Sequence, residues 1–200
     1  NDALLKQVLP IVDEEIQLPG YSSDAVGDLA SLKATGVLHK YQGRALLVST
    51  GSCAIHCRYC FRRDFPYADE TAASGQWQSA IRYLQSDTGI DEVLLSGGDP
   101  LSLSTAKLHV LSEGLRPLKH IKRLRIHTRL PVVLPDRIDA EFLEWIASLP
   151  WPCIIVIHVN HPNELCPEAH RALSRLKEAG CTLLNQSVLL AGVNDDTDVL

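Results

Sequence analysis

Apolar and polar positions set up a regular alternation of elements from about Arg44 onward. Ala45–Thr50 is a short apolar run that reads as a strand. Gln76–Ser86 places Trp77, Ala80, Ile81 and Leu84 on one helical face. Glu92–Ser96 reads as a buried strand that ends in Gly97-Gly98. The spacing then predicts a helix over Thr105–Leu115 with Ser104 as N-cap, and a strand over Lys122–Thr128. A helix over Ala140–Leu149 follows the cap candidate Asp139, and Cys153–Val159 is a β-branched strand. Pro167–Ala179 reads as a helix with proline in its first turn and Gly180 beyond its end; Thr182–Leu190 reads as a last strand. Strands this apolar are covered on both faces, which predicts a parallel α/β sheet, either barrel-like or doubly wound. In both architectures chemistry belongs at the C-terminal ends of the strands. The cysteine loop, Gly97-Gly98-Asp99, Arg129 and Asn160-His161 all fall there.

Residues 1–40 carry no such rhythm and read as an N-terminal extension ahead of a unit spanning 41–200. Leu4–Val12 has helical spacing, but Pro10 interrupts it; Pro19-Gly20 and Ser22-Ser23-Asp24 are turn signals. There is no internal repeat and no low-complexity stretch.

Two hundred residues suit one domain, long enough to bury a sizeable core. A net charge of −5 argues against direct nucleic-acid binding, and the basic stretch Lys119–Arg125 reads as a solvated sheet edge or helix end. No run of about 18 apolar residues exists to span a membrane, and no basic-then-apolar leader opens the chain, so a cytoplasmic protein is expected. The chain lacks methionine, even at position 1, and stops just after the turn-like Asn194-Asp195-Asp196, as part of a longer protein would.

Six cysteines would allow three disulfides, but three of them crowd into eight residues, which reads as metal binding. Cys53, Cys57 and Cys60 form C-x3-C-x2-C. Thiolates are soft ligands for iron–sulfur clusters. Three of them hold three irons of a 4Fe–4S cubane and leave the fourth iron open to a chelating ligand such as S-adenosylmethionine (SAM). The alternative is a structural zinc site, which is usually closed by four ligands; His56 would be the fourth here, at the cost of a strained loop. Cys153 and Cys181, at strand starts, read as core residues, and Cys166 as a loop residue.

The cysteine loop after the first strand, followed by Ser96-Gly97-Gly98-Asp99-Pro100 after the second, resembles the radical SAM superfamily. Flanking stretches narrow the resemblance to the lysine 2,3-aminomutase family. They are His39–Arg44, Cys60–Arg63, Thr128–Pro135, Asn160–Glu164 and Asn185–Leu190, in family order over residues 36–194. Arg58–Tyr67 looks most like the branch that makes (R)-β-lysine for modifying elongation factor P.

The resemblance implies a partial (β/α) TIM-like barrel and three cofactors: a 4Fe–4S cluster, SAM and pyridoxal 5′-phosphate (PLP). It implies an isomerase that moves the amino group of lysine from the α- to the β-carbon after a deoxyadenosyl radical abstracts hydrogen. It also implies a reductant protein as partner, and a homo-oligomer is compatible with it. By motif, Ser96, Gly97, Gly98, Asp99, His158 and Gln186 correspond to SAM contacts. Asp99 has a second reading as a loop cap, and His158 as a satisfied core histidine. Tyr41 and Arg44 correspond to the PLP phosphate site, and Arg62 to the anchor of the substrate carboxylate. Arg129 is open between cofactor phosphate and structure. The family's PLP-holding lysine, and the carboxylates that hold the substrate's side-chain amine, lie further toward the C-terminus than this chain reaches. Competing readings are a radical SAM enzyme of another class without PLP and a zinc-stabilised, non-catalytic module.

Overall fold

The computed structural model describes residues 2–16 and 18–200. Among them a single helical turn, α1 (Leu5–Val8), precedes three strands: β1 (Leu32–Ala34), β2 (Val37–Tyr41) and β3 (Arg44–Thr50). Then α2 (Gln78–Ser86), β4 (Glu92–Gly97), α3 (Thr105–Leu115), β5 (Arg123–Thr128), α4 (Leu130–Val133) and α5 (Ala140–Ser148) follow. The chain continues with β6 (Cys153–Ile157), α6 (Pro167–Glu178) and β7 (Thr182–Asn185). All seven strands form one sheet in sequence order. β1–β2–β3 are antiparallel, and β3 to β7 are parallel. A doubly wound sheet would reverse its strand order partway. This one never does, so the barrel-like alternative holds, as an open partial barrel.

Crossovers of one hand put the helices on one face of such a sheet. There Ala45, Leu47, Val93, Leu95, Leu124, Ile126, Ile155 and Ile157 pack under Leu84, Leu108, Leu111, Leu115, Phe142 and Leu176. Because strand side chains alternate, the opposite face carries Leu46, Leu94, Ser96, Arg125 and His127. That face lines the cavity described below.

Three expectations from the sequence change in detail. Residues 32–41, all but the last within the stretch read as an N-terminal extension, form the hairpin arm β1–β2 on the edge of the sheet. The helix expected from Gln76 begins at Gln78, because Gln76 and Trp77 both have positive φ; Trp77 is nonetheless fully buried and donates its indole N–H to the Lys107 carbonyl (3.0 Å). The last strand ends at Asn185 rather than Leu190, since its partner β6 offers pairing only as far as Ile157. The caps stand as expected: Ser104 Oγ accepts from Lys107 N (3.4 Å) and Asp139 Oδ1 from Phe142 N (2.8 Å). Cys153 and Cys181 are both buried, and the nearby Cys181 thiol together with burial raises the pKa of Cys153. Among the described residues, no helix is long and apolar enough to cross a membrane.

Candidate active site

The site starts where β3 and β4 end. Beyond Thr50 the chain runs into the loop that carries Cys53, Cys57 and Cys60. Gly97-Gly98 lies directly beneath it, with Gly98 N–H donating to the Thr50 carbonyl (2.7 Å) and Asp99 N–H to the Ser52 carbonyl (2.8 Å). A Cβ on Gly98 would stand 2.5 Å from the Ser52 oxygen. Gly97 has φ +112°, a left-handed value that suits glycine. The glycine pair is thus used first by the protein itself, to let the cysteine loop cross the end of β4.

Asp99 is buried, and its carboxylate accepts from Thr128 Oγ1 (2.6 Å) and the backbone N–H groups of Arg129 (2.7 Å), Leu101 (3.0 Å) and Leu130 (3.1 Å). Burial pushes its pKa up against these four bonds, which favour the ionised form. This is the geometry of the capping alternative: Asp99 ties the end of β4 to the end of β5.

The three thiols line one cavity with Ser96, Gly97, Gly98, His127, Arg129, His158 and Gln186. Among the described residues, no three His, Cys, Asp or Glu side chains converge tightly enough to share one metal ion. The Cys53 thiol is pushed up to about 11, first by burial and then by Asp99 and the two neighbouring cysteines. His158 and Gln186 stand one residue beyond β6 and β7, and Gln186 N–H still donates to the Ile157 carbonyl (2.9 Å).

A second cavity of about 330 Å³ adjoins the first along the helix-free face of the sheet. Phe61, Arg62, Ser96, His127, His158 and Gln186 border both. The far end of the second is bordered by Lys40, Tyr41 and Arg44, at the start of β3. Seven residues of strand separate that end from the cysteine loop, roughly 20 Å at strand spacing. Tyr41 and Arg44 flank the Gln42-Gly43 turn, both exposed, with the guanidinium 6.0 Å from the ring centroid. Arg44 Nε is 3.8 Å from Glu92, whose other oxygen accepts from Arg125 Nε and Nη2 at 2.8 and 2.7 Å.

Arg62 sits between the two ends. Its Nε donates to Asp28 Oδ2 (2.6 Å), its Nη1 to Ser96 Oγ (3.1 Å), and its plane lies over Phe61 (4.7 Å). Asp28 is almost fully buried, and its second oxygen accepts from Lys40 Nζ (2.7 Å). Asp28, Lys40 and His127 were not singled out in the sequence. Strand alternation puts His127, two residues after Arg125, on the same face; its Nε2 is buried without a hydrogen-bond partner among the described residues, and burial beside His158 lowers its pKa to about 4. Burial also lowers the pKa of His158.

Behind the cysteine loop lies a polar cluster. Arg129 Nη1 donates to Cys57 Sγ (2.9 Å), and its Nη2 to Glu164 Oε2 (2.7 Å) and Gln7 Oε1 (2.9 Å). Asn160 Nδ2 donates to the Tyr59 hydroxyl (2.7 Å) and to Gln7 (3.0 Å). Arg58 and Arg63 both bond Glu14, so the N-terminal segment grips the loop from outside.

The relatives of the chain fit this layout. It is 45% identical over 200 residues to the L-lysine 2,3-aminomutase of Escherichia coli (strain K12), with all of this chain and 58% of that protein covered. It is 43% identical over 200 residues to that of Haemophilus influenzae, covering all of this chain and 59% of that protein. It is 38% identical over 201 residues to that of Acetoanaerobium sticklandii, covering all of this chain and 48% of that protein. The chain therefore spans about half the length of the curated relatives it matches. The family profile of the radical SAM superfamily matches residues 47–199. That match opens inside β3, just ahead of the cysteine loop, and takes in every later strand of the parallel sheet; the chain belongs to the radical SAM superfamily.

Proposed function

We propose that this chain carries the cluster end of a PLP-dependent lysine 2,3-aminomutase. One observation carries the reading: a cavity lined by three loop thiols at the strand ends adjoins a second one bordered by Lys40, Tyr41 and Arg44, and the two share Arg62, Ser96, His127, His158 and Gln186 as their common wall. Cys53, Cys57 and Cys60 are three soft thiolates on one cavity, which suits three irons of a 4Fe–4S cluster with the fourth left open, whereas a structural zinc site is usually closed by four ligands. Ser96, His158 and Gln186 would contact SAM, and Tyr41, Arg44 and Lys40 the phosphate of PLP. Bound there, the cluster and SAM supply the radical and PLP carries the migrating amino group.

The chain's own residues bind, orient and shield. Asp28 takes Nε and Ser96 takes Nη1 of the Arg62 guanidinium, which leaves Nη2 for a substrate carboxylate. Leu46, Leu94 and Phe61 give the second cavity an apolar lining. His127, neutral at physiological pH, presents an unpaired ring nitrogen without adding charge. Incubating the reconstituted full-length protein with lysine, SAM, PLP and reductant should yield β-lysine. SAM cleavage without β-lysine would favour another radical SAM class, and stoichiometric zinc in place of iron and sulfide would sink the enzyme reading. Arg58–Tyr67 further supports (R)-β-lysine as the product, destined for elongation factor P. Removal of the enzyme from its host should then abolish the β-lysyl mass on that factor.

A further inference from the structure

A buried cation rests on one of the three loop thiols. Arg129 follows β5, and its side chain is only 10% exposed. Its Nη1 meets Cys57 Sγ at 2.9 Å. Its other end cannot swing away: Nη2 is bonded to Glu164 (2.7 Å) and Gln7 (2.9 Å). Glu164 in turn is fixed by the backbone N–H groups of Asn160 (2.9 Å) and His161 (3.0 Å) and by Gln7 Nε2 (3.1 Å). The Arg129–Glu164 pair is thus an oriented dipole with its positive end on the sulfur and its negative end one residue-width behind.

We propose that Arg129 sets the reduction potential of the cluster held by Cys53, Cys57 and Cys60, with Glu164 as its counterweight. This rests on the cluster reading above. Reduction adds one negative charge to the cluster. A cation hydrogen-bonded to a ligating sulfur stabilises the reduced form more than the oxidised one and raises the potential. In a buried setting the effect is weakly screened. Glu164 offsets part of that charge, so it lowers the potential while it holds the guanidinium in place. Arg129 is therefore a positioning and tuning residue rather than a catalytic one.

The test is a potentiometric titration of the anaerobically reconstituted full-length protein, followed by the electron paramagnetic resonance signal of the reduced cluster. Iron and sulfide per chain and far-ultraviolet circular dichroism are measured alongside. In Arg129→Gln the reduced-to-oxidised ratio at the parent's midpoint should fall by about tenfold, equivalent to about 59 mV for one electron. Arg129→Lys keeps a charge but not the fork, so it should fall less. Glu164→Gln should move the ratio the opposite way. Variants that load the parent's amount of cluster yet keep its potential, or an Arg129→Gln and Glu164→Gln pair that shift in the same direction, overturn the proposal. If Arg129→Gln does not fold, the opposed shifts of Arg129→Lys and Glu164→Gln decide it. A parent that takes up no iron and sulfide refutes the cluster reading itself, which is a different failure.

Discussion

Asp28 holds two cations on one carboxylate, Arg62 at 2.6 Å and Lys40 at 2.7 Å, with its own side chain 4% exposed. Removing one partner of a buried pair leaves an uncompensated charge and costs about 3–5 kcal/mol. Asp28→Ala should therefore lower the unfolding free energy read from a urea titration by an amount in that range, and Asp28→Asn by less because the amide still accepts a hydrogen bond. A midpoint equal to the parent's would show that the two cations find water instead. Nothing in the local sequence marks Asp28, which lies 34 residues from Arg62 and 12 from Lys40 along the chain. Its role arises only when the segment before β1 folds over the cavity. The grouping of the cysteines was legible for the opposite reason: it is written in spacing within one loop. Arg62 sits two residues after the last of them and borders the same cavity.

Among the elements, the junction of β4 with the cysteine loop is closely packed. A methyl group at Gly98 would press on the Ser52 carbonyl, the Gly51 carbonyl carbon and the Ser52 nitrogen, all of them backbone atoms with little room to give. Gly98→Ala should cost about 1–3 kcal/mol. It should also reduce the iron and sulfide retained per chain, while far-ultraviolet circular dichroism stays close to the parent's. Full cluster loading in that variant would show that the loop can step aside. Helix starts with their own cap signals were readable to the residue. Ser104 precedes Thr105–Leu115, and Asp139 precedes Ala140, although that helix, read to Leu149, ends at Ser148. The β1–β2 arm was not readable, since strands of three and five residues with register shifts have too few alternations to form a pattern. The start of α2 was misplaced because burial of the Trp77 ring and its bond to Lys107 outweigh the cost of two left-handed residues. The last strand was overextended because Val188-Leu189-Leu190 looks like a strand but has no ladder partner beyond Ile157.

At the scale of the molecule, folding closes two neutral imidazoles into the cavity wall. Burial first, and then the proximity of His158, lower the pKa of His127 from 6.5 to about 4. Below pH 6.5 the unfolded chain takes up a proton at this residue that the folded chain refuses. Stability is thus complete above that pH and drains away as pH falls toward about 4, by on the order of 3 kcal/mol in all. His158 shifts in the same direction and adds to the loss. The melting temperature should fall across that window, and His127→Gln should flatten the profile. A parent and variant with superimposable profiles would contradict it. The strand order carries a further consequence, one of timing. Each strand pairs with the one just before it in the chain, so a polypeptide emerging from the ribosome can add every new βα unit to a sheet already begun. The bonds that gather the site follow another clock. Gln7 meets Glu164 across 157 residues and Arg129 across 122, so the seat behind Cys57 can close only after β6 and its loop have been made. Iron supplied during synthesis would therefore meet a finished cysteine loop on an unfinished seat.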